Sequence, residues 1–327
     1  MQSTSGELHD KRLSEAFYDD RYEHGYMQQW PAETKKRLVE VIQALGLPAS
    51  GVALDFGCGN GVLTELLRET LPGWRVYGSD LSSVAIAHAR QRRSDCTFFV
   101  PGDPIAEGVT FDLVFTHHVL EHVYDLGAVV ADINRVLKPS AAMLHVLPCG
   151  NPGSFEHRLC QLRRDGINSA SGNRFFFEDE GHVRRLTTEE LAAAFAPIGM
   201  TIAKAMFSGQ HDDAMEWITR SSPAFVWRLT DPRKAVDAEA KRKLLALRRQ
   251  LLRASVLRFP VDALQRHLHK HSKSIADILF LAVGTPLLAP LLPYNQKWWR
   301  RARIEWLRKH DEPAGSQQFV YFTRSSV

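Results

Sequence analysis

Between Ala49 and Leu147 the chain alternates short β-rich runs with segments of helical period, and no other feature constrains its fold as tightly. GVALDF (51–56), RVYGSD (75–80), CTFFVPGD (96–103), FDLVFTHH (111–118) and AAMLHVLP (141–148) read as strands. GVLTELLRETL (61–71), SSVAIAHARQRR (82–93) and DLGAVVADINRVLK (125–138) read as helices, the last closed by Pro139, whose ring cannot continue it. Strands separated by helices of this length build βαβ units and a parallel, doubly wound α/β sheet. Ligands of such sheets bind beyond the carboxyl ends of the strands, so the turns that follow them are where function is sought.

After residue 150 the pattern loosens. NPGSFEHRLCQLRRDGINSASGNRF is rich in Gly, Ser, Asn and Arg and reads as a long loop or lid. TIAKAMFSG (201–209) and QQFVYFTR (317–324) supply a sixth and a seventh strand, and the residues between them read mostly as helix. The expected organisation is therefore an N-terminal helical lid (1–48), a core (49–210), a helical insertion (211–316) and the last core strand (317–327).

Charge marks the insertion as a different object. The whole chain carries 41 Lys/Arg against 37 Asp/Glu, yet residues 233–312 alone hold 18 against 7. A mildly acidic body thus carries a strongly basic helical segment, and any anionic surface this protein meets should be met there. The four cysteines show no CxxC spacing and the polar N-terminus has no apolar h-region, so a reducing cytoplasm and no secretory signal are expected.

The turn after the first strand is LDFGCGNG. Gly57, Gly59 and Gly61 let the backbone fold tightly and approach a ligand, and the helix that follows offers unpaired N–H groups. Three carboxylates accompany it. Asp55, two residues before the first glycine, would repel a pyrophosphate but suits an ammonium group. Asp80, at the end of the second strand, can take both hydroxyls of a ribose. Asp103, in Gly102-Asp103-Pro104 after the third strand, suits an adenine amino group. An adenosine ligand with a cationic amino-acid end fits these acids better than a dinucleotide, and the GxGxG spacing with Asp55 beside it argues against an NAD-dependent oxidoreductase.

With LDFGCGNG, the acid in VYGSDLS, PGDP before FDLVFTHHVLEHV, and INRVLKP before the fifth strand, the chain resembles the class I S-adenosylmethionine-dependent methyltransferases, in particular the ubiquinone-biosynthesis-type branch. The resemblance covers some two thirds of the chain. It implies a seven-stranded Rossmann-like methyltransferase sheet with the helical insertion before its last strand, and S-adenosylmethionine as cofactor. It also implies that Asp55 and the Gly57–Gly61 turn hold the methionine portion, Asp80 the ribose, and Leu81, Asp103 and Pro104 the adenine. FYDDRYEHGYMQQW resembles the aromatic lid of such enzymes, with Tyr18, Tyr22 and Tyr26 as candidates to close over the cofactor. The family's Lys-Pro-Gly-Gly turn is Lys138-Pro139-Ser140-Ala141 here, a departure that removes no chemistry.

THHVLEHVYD, after the fourth strand, supplies the catalytic candidates. Methyl transfer to a hydroxyl needs the acceptor aligned and its proton removed, a task for a group that titrates near neutrality. His118 is the first choice, with His117 and His122 behind it; Glu121 and His122 could instead simply organise the start of the next helix. His118 to His122 also spells the HxxEH inverted zinc-protease motif, but that motif needs a helix inside a metal cleft, whereas here it follows a parallel strand, so no metal is assigned. The triplet His267, His269 and His271 reads as a solvated basic face and Cys58 as packing.

In the insertion, KRKLLALRRQLLRASVLR (241–258) places Leu244, Leu247 and Leu251 on one stripe, joined by Leu245, Leu252 and Val256, with arginines opposite. Nineteen uncharged residues follow, Ile278–Gln296, which Gly284, Pro286, Pro290 and Pro293 are expected to break into pieces too short to span a bilayer. Trp298, Trp299, Arg300 and Arg301 resemble an interfacial anchor. The leading expectation is a cytoplasmic methyltransferase acting on a small-molecule or lipid-like acceptor, with peripheral contact to anionic membrane through 233–312. A cap over the acceptor pocket and a dimer surface are competing uses of the insertion, and nucleic acid is a weaker contender because the basic residues are mixed with long leucine stripes. The rival to an enzyme is an accessory protein on the same fold, using the insertion for membrane or partner binding.

Overall fold

Continuous apolar runs make the central strands, because a parallel sheet covered on both faces has no solvent side to alternate with. The computed structural model describes residues 11–24, 30–92, 95–268 and 273–324. Two helices, α1 (Lys11–Glu23) and α2 (Ala32–Gln43), precede β1 (Gly51–Phe56), α3 (Val62–Thr70), β2 (Trp74–Ser79), α4 (Ser83–Gln91), β3 (Thr97–Phe99), β4 (Phe111–His117), α5 (Leu126–Val136) and β5 (Leu137–Pro148). Next come α6 (Phe155–Gln161), the short strands β6 (Ile167–Asn168) and β7 (Arg174–Phe175), α7 (Thr188–Phe195) and β8 (Met200–Ser208). Helices α8 (Asp212–Arg220), α9 (Pro223–Leu229), α10 (Ala238–Leu268), α11 (Ile275–Leu288) and α12 (Leu292–Lys309) lead to β9 (Gln317–Arg324).

Seven strands form one sheet in the order β3-β2-β1-β4-β5-β9-β8. β1 pairs in parallel with β2 on one side and β4 on the other, and β4 with β5. The chain therefore winds outward from β1 to β3, then crosses back to begin again at β4, and the crevice beyond β1 and β4 is the topological switch point where such sheets bind ligands. The core is built from these strands: Ala53, Leu54, Leu113, Val114, Phe115, Met143, Leu144 and Val146 are all buried.

One boundary differs from expectation. Helix α5 stops at Val136, and Pro139 lies inside β5 rather than closing the helix. Proline is tolerated there because it sits near the start of the strand, where the register with β4 is already irregular between Phe111 and Leu113.

The chain divides into two compact units. The first comprises residues 1–148, 188–205 and 319–327, and the second 149–187 with 206–318. The Gly/Ser/Arg-rich segment that the sequence pattern left in the core thus groups with the helical insertion. The reason is a buried ionic cluster within the second unit: Arg185 donates to the carbonyl oxygens of Cys149 and Ser316 at 2.8 Å each and pairs with Glu178, while Trp217 donates to Glu156 at 2.7 Å. Inside the same unit Arg258, fully buried, donates to the Glu216 carboxylate at 2.7 Å and to Asn295 Oδ1 at 2.8 Å, tying α8, α10 and α12 together.

The insertion corrects three expectations. Along α10 the stripe divides: Leu244 and Leu251 are buried, but Leu245 and Val256 face solvent. The glycine and prolines do not fragment the apolar run. Gly284 and Pro286 lie inside α11, Pro290 lies in a single 3-10 turn (289–291), and Pro293 lies in the first turn of α12, where its missing N–H costs nothing. Finally, Trp298 is not an exposed anchor; it is buried against α8 and α10 residues, with the Arg258 guanidinium 5.2 Å from its ring centre, and Trp299 lies beneath Arg220.

Candidate active site

The glycine turn takes its shape from two hydrogen bonds. The N–H groups of Gly57 and Cys58 both donate to the Ser79 carbonyl, at 2.7 and 2.9 Å, which folds the end of β1 against the end of β2. Gly59 needs to be glycine on two counts: its φ of +54° is left-handed, and a Cβ there would stand 2.5 Å from the Tyr22 hydroxyl. Gly57 is equally constrained, at φ +80° with Val119 where its Cβ would go. Cys58 is buried against Ile86, Ala89 and Phe98, and burial holds its thiol well above the ordinary range, so it packs rather than reacts.

Around this turn lies a cavity of about 1150 Å³ formed entirely within the first unit. Asp55, Asp80, Leu81, Asp103 and Pro104 all line it, together with Tyr18, Tyr22 and Trp30. Asp80 is locked in place, accepting from Gly59 N–H at 2.8 Å and Ser82 N–H at 2.9 Å, and burial raises its pKa. Each oxygen retains acceptor capacity beyond those bonds. Asp55 is almost fully buried, accepts from the Thr64 hydroxyl at 2.6 Å, and is pushed by burial up to about 7. Asp103 caps the short 3-10 turn 104–106, accepting from Ile105 N–H, and pairs with Arg90 at 3.0 Å.

These features suit an adenosine with an amino-acid end. A buried carboxyl whose charge is disfavoured by its surroundings is satisfied by an incoming ammonium. The left-handed glycines present bare backbone at the cavity, and Phe99 and Pro101 give it apolar wall for a base. Helix α1 is fastened to the same place, since Ser82, which caps α4, donates to Asp19 at 2.5 Å. Tyr22 of α1 is thereby held over Gly59. Tyr26 lies outside the described residues.

The three histidines have separate fates. His118 sits at φ +55°, rare for a residue with a Cβ and a mark of strained functional backbone. Its amide is held by the Val146 carbonyl at 2.8 Å, and its Nδ1 bonds the fully buried carboxylate of Glu121 at 2.6 Å. Trp30 lies nearly parallel to the His118 ring at 5.9 Å between centres. His117 is buried, edge-on to Trp30 at 4.6 Å, and neither ring nitrogen has a hydrogen-bond partner among the described residues. Burial, aided by the neighbouring His118, drives its pKa well below the usual value, so it is neutral. His122 lies at the cavity wall, edge-on to Tyr18 at 5.9 Å. Residues 118–122 form turns rather than a helix.

Trp30 and Thr64 did not emerge as site residues from the sequence, and Glu121 emerged only as an organiser of the turn. Trp30 is separated from the histidines by 87 residues of chain, and no local pattern links them. The Glu121 signal was present in the (i, i+3) spacing from His118, which a turn can close.

A methyltransferase-domain family model matches residues 25–205, more than half of the chain. Among curated relatives, a trans-aconitate 2-methyltransferase from Acidovorax ebreus (strain TPSY) is 30% identical over 146 residues, covering 42% of this chain and 52% of the relative. A ubiquinone biosynthesis O-methyltransferase from Hahella chejuensis (strain KCTC 2396) is 31% identical over 142 residues, covering 38% and 58%. The chain spans about half the length of the curated relatives it matches. Similar solved structures include a putative sarcosine dimethylglycine methyltransferase from Galdieria sulphuraria, with a TM-score of 0.46 at 13% identity over 90% of this chain and 86% of that one. Another is magnesium protoporphyrin IX methyltransferase from Synechocystis PCC 6803 with bound SAH, with a TM-score of 0.44 at 19% identity over 62% and 94%. The chain belongs to the methyltransferase-domain family.

Proposed function

We propose that this protein transfers a methyl group from S-adenosylmethionine to a hydroxyl oxygen of a small or lipid-like acceptor, with His118 as general base. The observation that carries this reading is the hydrogen bond from His118 Nδ1 to buried Glu121. A carboxylate on Nδ1 fixes the tautomer and leaves Nε2 as the acceptor of a proton. S-Adenosylmethionine, when bound, supplies an electrophilic methyl group and a neutral thioether leaving group.

Asp55 would hold the ammonium, Asp80 the ribose hydroxyls, and Leu81, Asp103 and Pro104 the adenine, with Tyr22 closing over the glycine turn. His118 takes the hydroxyl proton as the oxygen attacks, and Glu121 stabilises the imidazolium that results. His117, neutral and with both nitrogens unengaged, offers a hydrogen bond to a second polar atom of the acceptor. Trp30 covers the His118 ring and keeps water from the base. A name such as ubiquinone biosynthesis O-methyltransferase among the relatives supports an oxygen acceptor and keeps the ubiquinone-biosynthesis-type branch as our finer assignment. A cytoplasmic location is part of the same proposal, supported by four cysteines with no CxxC spacing.

Calorimetry with S-adenosylhomocysteine tests the cofactor half: Asp80→Ala should weaken binding by on the order of a hundredfold, since it removes hydrogen bonds to a charged group. Methyl transfer from radiolabelled cofactor to a panel of phenolic, quinol and carboxylate acceptors tests the rest. His118→Ala should lower turnover by on the order of 10²–10⁴-fold with S-adenosylhomocysteine affinity unchanged, and Glu121→Gln should lower turnover by a smaller factor, by loosening the tautomer that Glu121 fixes. Full turnover by His118→Ala on every accepted substrate would refute the base.

A further inference from the structure

Among the described residues α11 is the most apolar helix, with Asp277 its single charged residue, and it is covered there on one narrow side. Asp277 and Gly284, seven residues apart and so on one face, are its buried positions; Asp277 is hydrogen-bonded to His267 of α10, and Gly284 lets Leu264 of α10 approach so closely that a Cβ would stand 3.1 Å from it. The opposite face is exposed among the described residues: Ile275, Ile278, Leu279, Val283 and Leu287 are 79, 55, 62, 62 and 70% exposed. A stripe of five large aliphatic side chains in solvent is unusual for a folded surface and marks an interaction site.

By length and apolarity the helical run from Ile275 to Lys309 is sufficient to cross a bilayer. Its second half is committed elsewhere. In α12, Asn295, Trp298, Ala302, Glu305 and Trp306 are buried, and the Glu305 carboxylate caps α8 by accepting from the N–H groups of Asp212 and Asp213 at 3.0 and 2.9 Å. Spanning would tear these contacts apart, whereas lying on a surface keeps them. The charge then selects the surface. Exposed Lys273 stands just before α11, exposed Lys297 and Arg300 follow it on α12, and α12 as a whole carries six Lys/Arg against one acid. An apolar stripe bordered by cations matches the acyl boundary and the phosphates of an anionic bilayer.

We propose that α11 is a monotopic anchor, which inserts its Ile275–Leu287 stripe into the interface of an anionic membrane while the cations of α12 pair with headgroups. The test is flotation of the full-length protein with vesicles of phosphatidylcholine alone or with about one third phosphatidylserine. The proteins compared are the wild type, the double variant Val283→Glu/Leu287→Glu and the double variant Lys297→Glu/Arg300→Glu. Both stripe positions are mostly exposed, so the folded state should be kept, and thermal melting of each variant confirms it. The wild type should float with the anionic vesicles, and the stripe variant should lose on the order of tenfold or more in partitioning. The charge variant should lose the preference for anionic lipid. Wild-type protein that stays unbound overturns the anchor. So does concentration-dependent self-association in sedimentation that the stripe variant abolishes while vesicles leave it unchanged, because a second copy then covers the stripe. Salt-sensitive binding to DNA without binding to vesicles overturns it equally.

Discussion

With Asp55 as the proposed partner of the cofactor's ammonium group, cofactor binding should be a proton-coupled event. Its carboxyl is buried and held at about 7, so at pH 6 roughly 0.9 of the molecules carry a proton there. An ammonium group beside it favours the carboxylate, and binding at pH 6 should release close to one proton. Observed affinity for S-adenosylhomocysteine should rise by roughly fiftyfold between pH 5 and pH 7 and then level off, as the ionised fraction saturates. In the protein without ligand the sign is opposite: an acid whose folded pKa lies above its unfolded value of 3.8 binds more protons when folded. Stability from this group is therefore full below about pH 4 and falls as pH rises to 7, by on the order of 4 kcal/mol in total. Calorimetry at pH 6 in two buffers of different ionisation enthalpy measures the released proton directly. Asp55→Asn should abolish the release, flatten the pH dependence of affinity and stabilise the ligand-free protein at pH 8. Proton release that persists undiminished in Asp55→Asn would refute the assignment, since Asp80, also raised by burial, would then be the group that titrates.

Two further outcomes follow from the geometry. Gly59→Ala forces a left-handed alanine against the Tyr22 hydroxyl, and should cost about 1–2 kcal/mol of stability in denaturant unfolding; an unchanged midpoint would show that the turn and α1 yield without cost. Glu216→Gln leaves the Arg258 guanidinium buried without its counter-ion and should cost about 3–5 kcal/mol, measured by denaturant unfolding, with Arg258→Met less harmful than Glu216→Gln.

The sheet, and the acids that line the cavity, were readable because each rests on a local signal. Short continuous apolar runs separated by helical segments place β1 to β5, and the three acids stand at strand ends where the turn chemistry makes them conspicuous. What escaped was set by contacts between distant parts of the chain. Trp30 reaches the histidines only once α1 and α2 are folded against the sheet, and the grouping of 149–187 with the insertion depends on Arg185 finding Glu178, Cys149 and Ser316. The exposure pattern of the insertion is set by such distant contacts too. Sequence spacing gives the faces of a helix but not which face finds a neighbour, so Trp298, placed outside by its company of arginines, is buried, while the stripe on α11 is bare.

The two ends of the insertion leave from neighbouring strands. β8 and β9 are adjacent in the sheet, and beside them Ser316 N–H donates to the Ser208 carbonyl at 2.8 Å. A segment of more than a hundred residues is thus closed by a junction no wider than one hydrogen bond, as a short hairpin would be. Length can be gained or lost at such a junction without altering the order of the strands that carry Asp55, Asp80 and His118. The junction makes added length inexpensive: residues can be inserted between β8 and β9, by evolution or by an engineer, without rebuilding the sheet, provided the Arg185 contact to Ser316 is kept.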